Sequence, residues 1–285
     1  MLTQLTVTAG IDGSPESLEA AALAAREALR RDLPLHLVHA YDVPSERSHP
    51  PETEVPFHRE SGALDRAVVQ LSYAHPALGI LDEQVTGPPV QALLAATESS
   101  ALLVLGSRGF GALAGVLVGS VALAVAARAD CPVVLVRAGG KPEDDREGSA
   151  AGPNRRPVVL GLDLDRPCDE LLEFAFLAAA SRHAPLHVVH TWAVPLVPTA
   201  DATDPTVAKS RLLSASLTPW RHKFPGTQVT ERLVHGLAGH HLVKAAADAG
   251  LLVVGRRISA GARLGRTAHA AIHRTRCPVA IVPHS

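Results

Sequence analysis

The sequence is short of aromatic rings: two Trp, two Tyr and five Phe in 285 residues. A protein that grips single-stranded nucleic acid by stacking needs such rings, so that class is disfavoured. An excess of one charge is also missing. Lys plus Arg is 27 against 28 Asp plus Glu, a net charge of −1, whereas proteins of nucleic acids and anionic membranes are basic. Three cysteines (Cys131, Cys168 and Cys277) are too few and scattered for a disulfide framework or a zinc knuckle. That fits a reducing cytoplasm. The start, MLTQLTVTAGIDG, has no basic leader and no apolar run ending in small residues, so no signal peptide is expected. Residues 109–127 carry no charge, but Gly109, Gly111, Gly115 and Gly119 crowd them and an apolar strand pattern precedes them. A loop feeding a buried helix accounts for this better than a membrane span. Apolar residues are what the chain has in plenty: 47%, enough to bury the cores of two domains.

The chain is a duplication. VTAGIDGSPESLEAAALAAREALRRDLPLHLVHAYDVP at 7–44 aligns without a gap on VVLGLDLDRPCDELLEFAFLAAASRHAPLHVVHTWAVP at 158–195. Gly10 matches Gly161 and Asp12 matches Asp163; further on, LLVLG answers LLVVG, and CPVVLVR answers CPVAIVP. Between the copies lies a polar, Gly- and Pro-rich stretch that reads as a linker. The expected organisation is a first domain over 1–140, a linker over 141–156 and a second domain over 157–285.

Each copy alternates short apolar runs with helical patterns. In the first, strands are expected at Leu5–Ile11, Leu35–Tyr41, Ile80–Thr86, Ala101–Ser107 and Val133–Arg137. Helices are expected at Pro15–Arg31, Ser61–Ala74, Pro89–Ser99 and Val116–Arg128. Ser14 before Pro15 and Glu16 looks like an N-cap with proline in the first turn. Ala20, Ala21, Leu23, Ala24, Ala28 and Leu29 supply an apolar face. Near-continuously apolar strands belong to a parallel sheet covered on both faces. Alternating β and α then gives two tandem doubly wound α/β domains.

Ligands of such sheets sit beyond the carboxyl ends of the strands. There the first copy places Asp12, the end of LHLVHAY, and the segment GSRGFGALAGVLVGSVALA. In it two residues separate Gly106 from Gly109, and nine separate Gly109 from Gly119, which Ser120 follows. Glycines let main-chain N–H groups approach a ligand closely, and successive N–H groups form an anion nest. Ser120 adds a hydroxyl donor, Arg108 a charge to screen phosphate, and Asp12 an acceptor for a ribose hydroxyl or an adenine-side contact. A tight turn would use the same glycines, and Asp12 could equally cap its own helix. The segment is neither a dinucleotide fingerprint nor a Walker loop, since no Gly-Lys-Ser/Thr occurs in it.

GIDGS, LHLVHAY, the Gly106-x2-Gly109-x9-Gly119-Ser120 spacing and CPVVLV together resemble the universal stress protein family in its tandem form, over nearly all the chain except the linker. The 23 Arg against 4 Lys are similar to actinobacterial members. The resemblance implies a five-stranded parallel sheet with helices on both faces in each domain (a Rossmann-like fold) and ATP, alone or with magnesium, in the first. Carried over, Gly10 and Asp12 line the adenosine side and Ala40 contacts adenine through its backbone. Leu105, Gly106, Gly109, Gly119, Ser120 and Val121 hold the ribose and phosphates. The expected role is regulatory, in a stress response, without efficient turnover, because no motif residue is an evident general base. A slow ATPase or nucleotidyl-transfer enzyme, and an interaction module without nucleotide, are the alternatives. The expected partners are a protein not identifiable from the sequence and a second copy of the chain, as a homodimer. Pairing of the two halves through their last strands would replace the homodimer. No nucleic acid or membrane is expected.

The second copy departs from the motif. Gly255 answers Gly106, Ile258 falls on the second glycine, Gly265 answers Gly119 and Arg266 answers Ser120, with three residues fewer between the anchors. Triphosphate wrapping should fail there, yet Arg256, Arg257, Arg263 and Arg266 cluster and Asp163 remains. That leaves a structural pseudo-domain with a solvated basic rim, or a site for another anion or an acidic partner. Charge is asymmetric as well: −6 over 1–137 and +5 over 157–285. His269 and His273 have helical zinc spacing without a third ligand, so a helix face is expected. His36/His39 and His187/His190 recur as strand residues with a scaffold role. None of the cysteines is expected to be a nucleophile.

Overall fold

The computed structural model describes residues 5–41, 55–107, 118–137, 155–166, 168–192 and 205–285. The chain divides into two compact units, Met1–Gly139 and Gly140–Ser285.

The first unit runs β1 (Thr6–Gly10), α1 (Pro15–Arg31), β2 (Leu35–Tyr41), α2 (Val55–Ala74), β3 (Ile80–Thr86), α3 (Pro89–Thr97), β4 (Ser100–Gly106), α4 (Ser120–Ala126) and β5 (Val133–Val136). All its strand pairs are parallel, in the order β3-β2-β1-β4-β5. The chain starts in the middle, grows one way, then returns to grow the other. The order therefore reverses between β1 and β4, and a doubly wound sheet opens its ligand crevice at that reversal, beyond the strand ends.

The helix that follows β1 is set by its own sequence. Ser14 caps it in an extended conformation (φ −69°, ψ 154°), and its Oγ accepts from Ser17 N at 3.2 Å. Pro15 opens it, Glu16 suits the positive end, and Arg30 and Arg31 suit the negative end. Its inward stripe of Ala20, Ala21, Leu23, Ala24 and Ala28 is mostly methyl-sized, which lets the helix lie close on the sheet. Leu29 is not part of that stripe. It sits about 140° round the helix from Ala24 and is 44% exposed, while Glu27 is buried with Arg30 at 2.9 Å and Arg31 at 3.4 Å. Two helices differ from expectation in their starts. α2 begins at Val55, six residues before Ser61. α4 begins at Ser120, because Gly119 is its extended cap (φ −73°, ψ 151°).

The second unit repeats the plan: β6 (Val158–Gly161), α5 (Asp169–Ser181), β7 (Leu186–Trp192), α6 (Pro205–Lys223), β8 (Val229–His235), α7 (Ala238–Ala245), β9 (Leu251–Arg257), a 3-10 turn (Ile258–Ala260), α8 (Arg266–Arg274) and β10 (Val279–His284). Its order is β8-β7-β6-β9-β10, again all parallel. The central strands are buried on both faces, as their unbroken apolar runs require. Among the described residues Phe176 is the largest fully buried side chain, with Trp220 and Phe224 stacked on it at 6.1 and 5.7 Å. The edge strand β3 is largely exposed and carries Asp82 and Glu83, charges that discourage further pairing.

Candidate functional site

In the first unit the reversal of strand order gathers several of the residues singled out by sequence. Gly10 ends β1 and Gly106 ends β4; Gly10 pairs with Val38, so Asp12 lies level with Ala40 of β2. Gly10 is glycine for a packing reason: a Cβ there would meet Leu105 Cδ2 at 2.8 Å and Leu93 Cδ2 at 3.0 Å. The Leu105 side chain is thus core. Gly106 is tighter still. A Cβ would lie 2.8–2.9 Å from Glu16 C and Cβ and Ser17 N, so the first turn of α1 rests on the end of β4.

Asp12 is half-buried and engaged in its own turn. Its Oδ1 accepts from Ser14 N at 3.0 Å and from Ser14 Oγ at 2.5 Å, while Ser17 Oγ accepts from Asp12 N at 3.4 Å. It therefore braces the cap rather than serving as the cap. The neighbouring carbonyl, Ile11 O, meets His39 Nδ1 at 2.7 Å. In the repeat, Leu162 O meets His190 Nδ1 at 3.0 Å, and Asp163 Oδ1 accepts from Asp165 N at 3.1 Å. These histidines are scaffold: each donates across to the chain leaving the first strand and holds the strand-tip turn.

Arg108 and Gly109 lie outside the described residues, within 108–117. The two ends of that segment are tied together, since Gly119 N donates to Ser107 O at 2.7 Å. Ser120 is exposed at the start of α4, Val121 follows half-buried, and Val118 is buried behind them. One residue at this place escaped the sequence reading. Ser107 is 2% exposed, and its Oγ has no hydrogen-bond partner among the described residues. Its position directly after Gly106 was the available signal.

In the second unit Gly265 caps α8 in the same extended conformation as Gly119 (φ −66°, ψ 163°), and Arg266 opens the helix as Ser120 opens α4. Ile258 enters the 3-10 turn. A cleft of about 370 Å³ lies at the reversal between β6 and β9, reached by Gly161, Asp163, Thr191, Gly255 and Gly265. Arg166, Arg256, Arg257, Arg263 and Arg266 also line it. A Cβ on Gly255 would meet His284 Nε2 at 2.6 Å, so this ring covers the strand end that the α1 backbone covers in the first unit.

The remaining reactive side chains are quiet. Burial pushes the Cys131 thiol up to about 12 and the Cys168 thiol up to about 11, so both stay protonated at neutral pH. Among the described residues no three His, Cys, Asp or Glu side chains could share a metal ion. His269 and His273 lie on one helix face with ring centroids 4.2 Å apart. No helix of the described residues is long and apolar enough to cross a membrane.

The paired α/β repeat is shared with known proteins. The universal stress protein family model matches residues 5–137 and again 154–283. The chain belongs to the universal stress protein family, in its tandem two-domain form. It is 32% identical to universal stress protein Rv2005c of Mycobacterium tuberculosis, over 98% of this chain and 97% of that one. It is 28% identical to Rv2623 of the same organism, over 99% and 98%. The fold is similar to that of a universal stress protein from Archaeoglobus fulgidus, with a TM-score of 0.65 and 17% identity over 98% of this chain and 96% of that one.

Proposed function

We propose that this universal stress protein is a regulatory protein of the cytoplasm that binds ATP, alone or with magnesium, in its first domain and does not turn it over efficiently. The observation that carries the reading is where the glycine spacing falls. Gly106 and Gly119 stand at the end of β4 and the start of α4, joined through Ser107, at the reversal of strand order where such sheets hold ligands. The residues suit the nucleotide. Asp12 offers a carboxylate to a ribose hydroxyl, and the Ala40 backbone offers an edge for adenine. Ser107 Oγ and Ser120 Oγ offer donors for phosphate oxygens. The N–H groups of the glycine segment, with Arg108, supply the remaining cradle for phosphate charge. No base for hydrolysis belongs to this set: Asp12 lies at the adenosine end and is held by Ser14.

Mass spectrometry of small molecules released from the purified chain tests the reading directly, with ATP the expected ligand. Calorimetry of the full chain should then show a tight first-domain ATP site that Gly119→Glu removes, because a carboxylate would enter the phosphate site. Unchanged affinity in a folded Gly119→Glu chain would refute the assignment. The two domains should be unequal, with Ile258 in place of a nest glycine and three residues fewer before Gly265. A homodimer completes the proposal, and sedimentation should give twice the 29.8 kDa chain mass.

A further inference from the structure

The second-domain cleft carries a charge distribution that the fold alone does not require. Arg166, Arg257, Arg263 and Arg266 line it and are exposed, and none of their guanidinium groups has a hydrogen bond or ion pair among the described residues. Arg256, only 5% exposed, lines it too. The one carboxylate in the lining is Asp163, and it is turned to Asp165 N. Acidic partners are not scarce in this domain. Lys223 reaches Glu173 at 2.6 Å, Arg221 reaches Glu231 at 2.8 Å, and Lys209 reaches Asp165, next to Arg166, at 3.8 Å. Five arginines thus converge on this cleft against the single carboxylate of Asp163. Such a gathering repels itself and raises the local potential, which an anion relieves.

We infer that this cleft is a receptor for a compact polyanion of the linked-phosphate class, held by guanidinium side chains rather than by a backbone cradle. Its size, about 370 Å³, suits a small molecule and not an acidic protein face. Guanidinium groups grip phosphate oxygens two at a time, through a planar fork. α8 adds to this: Gly265 provides no side-chain cap, and the helix start at Arg266 and Thr267 opens into the cleft. The glycine segment of the first domain would read phosphate by shape. Here Ile258 sits in a 3-10 turn and the side chains read charge, so a nucleoside adds little. This site is independent of ATP in the first domain.

The test uses the full chain carrying Gly119→Glu, which silences the first-domain segment, with sodium tripolyphosphate, ATP and AMP as probes in calorimetry. Tripolyphosphate should bind once per chain and weaken steeply as salt screens the guanidinium charge. ATP should bind comparably and AMP about tenfold or more weakly, since the linked phosphates carry the contact. Adding Arg263→Ala and Arg266→Ala should lower tripolyphosphate affinity about tenfold or more. The ligand-free Tm should stay level or rise, because mutual repulsion is relieved. If Gly119→Glu does not fold, the same pair of substitutions in the natural chain should remove one tripolyphosphate per chain. Three results would each overturn the inference: no tripolyphosphate binding at millimolar concentration, equal affinity after the double substitution, or AMP binding as tightly as ATP while tripolyphosphate is silent.

Discussion

Replacing Gly106 by alanine tests how closely α1 lies on β4. The added methyl would stand 2.8 Å from Glu16 C, 2.9 Å from Glu16 Cβ and 2.9 Å from Ser17 N. An ordinary contact begins near 3.4 Å, so the first turn of α1 must retreat by about 0.6 Å, and two of the three obstructing atoms are backbone. A flexible side chain could rotate away at little cost, but a capped helix turn cannot. Overpacking of this kind costs about 1–3 kcal/mol. The same turn carries Ser14, whose N–H and hydroxyl hold Asp12, so the displacement should weaken ATP binding as well. Urea denaturation followed by far-UV circular dichroism reads the loss as a lower midpoint with unchanged slope. Fluorescence serves as a domain-specific partner, because Trp192 and Trp220 both belong to the second domain. Gly79→Ala is the matched control: its methyl would meet only Pro34 Cβ at 3.8 Å, and it should be neutral or slightly stabilising. If Gly106→Ala is as stable as Gly79→Ala, the account of Gly106 as a packing glycine is wrong.

Other outcomes follow from the same geometry. Gly10→Ala should cost less than Gly106→Ala, since its methyl meets the ends of Leu105 and Leu93, which can shift; denaturation midpoints compare the two. Native Cys131 and Cys168 should resist iodoacetamide at pH 8 and react after unfolding, because burial holds both thiols protonated; peptide mass mapping reads this. His187 is held below its ordinary value of 6.5 by burial and then by Arg232. It stays neutral in the fold while the unfolded chain takes up a proton, so its contribution is present above pH 6.5 and lost as pH falls through the lowered folded value. Tryptophan-monitored denaturation should show this acid sensitivity, and His187→Gln should reduce it. Asp12→Asn should preserve the fold, because Oδ1 can still accept from Ser14, yet weaken ATP binding in calorimetry.

The sequence alone determined the repeat, the alternation of strands and helices, and the doubly wound parallel class, because these rest on local periodicity and on identities such as PLHLVHA against PLHVVHT. It also located the strand-tip residues, and its alignment of Gly265 on Gly119 reappears as two helix caps in the same extended conformation. What it left undecided needed distances between segments far apart in the chain. Gly106 read as a ligand glycine, but only the tertiary structure brings Glu16 and Ser17 against it and gives it a packing role. Asp12 read either as ligand acceptor or helix cap, and the fold makes it a brace for Ser14. Leu29 fitted the apolar stripe by type, yet the stripe passes instead through Glu27, whose charge is matched by Arg30 and Arg31. Ser107 had only its position after Gly106 to mark it, because burial without a partner is a property of surroundings, not of residue type. The arginines of the second copy read as a solvated basic rim or an anion site. Only the packing of strand ends, 3-10 turn and α8 around one cleft shows that they converge, since charge acts over a few ångströms of space and not along the chain.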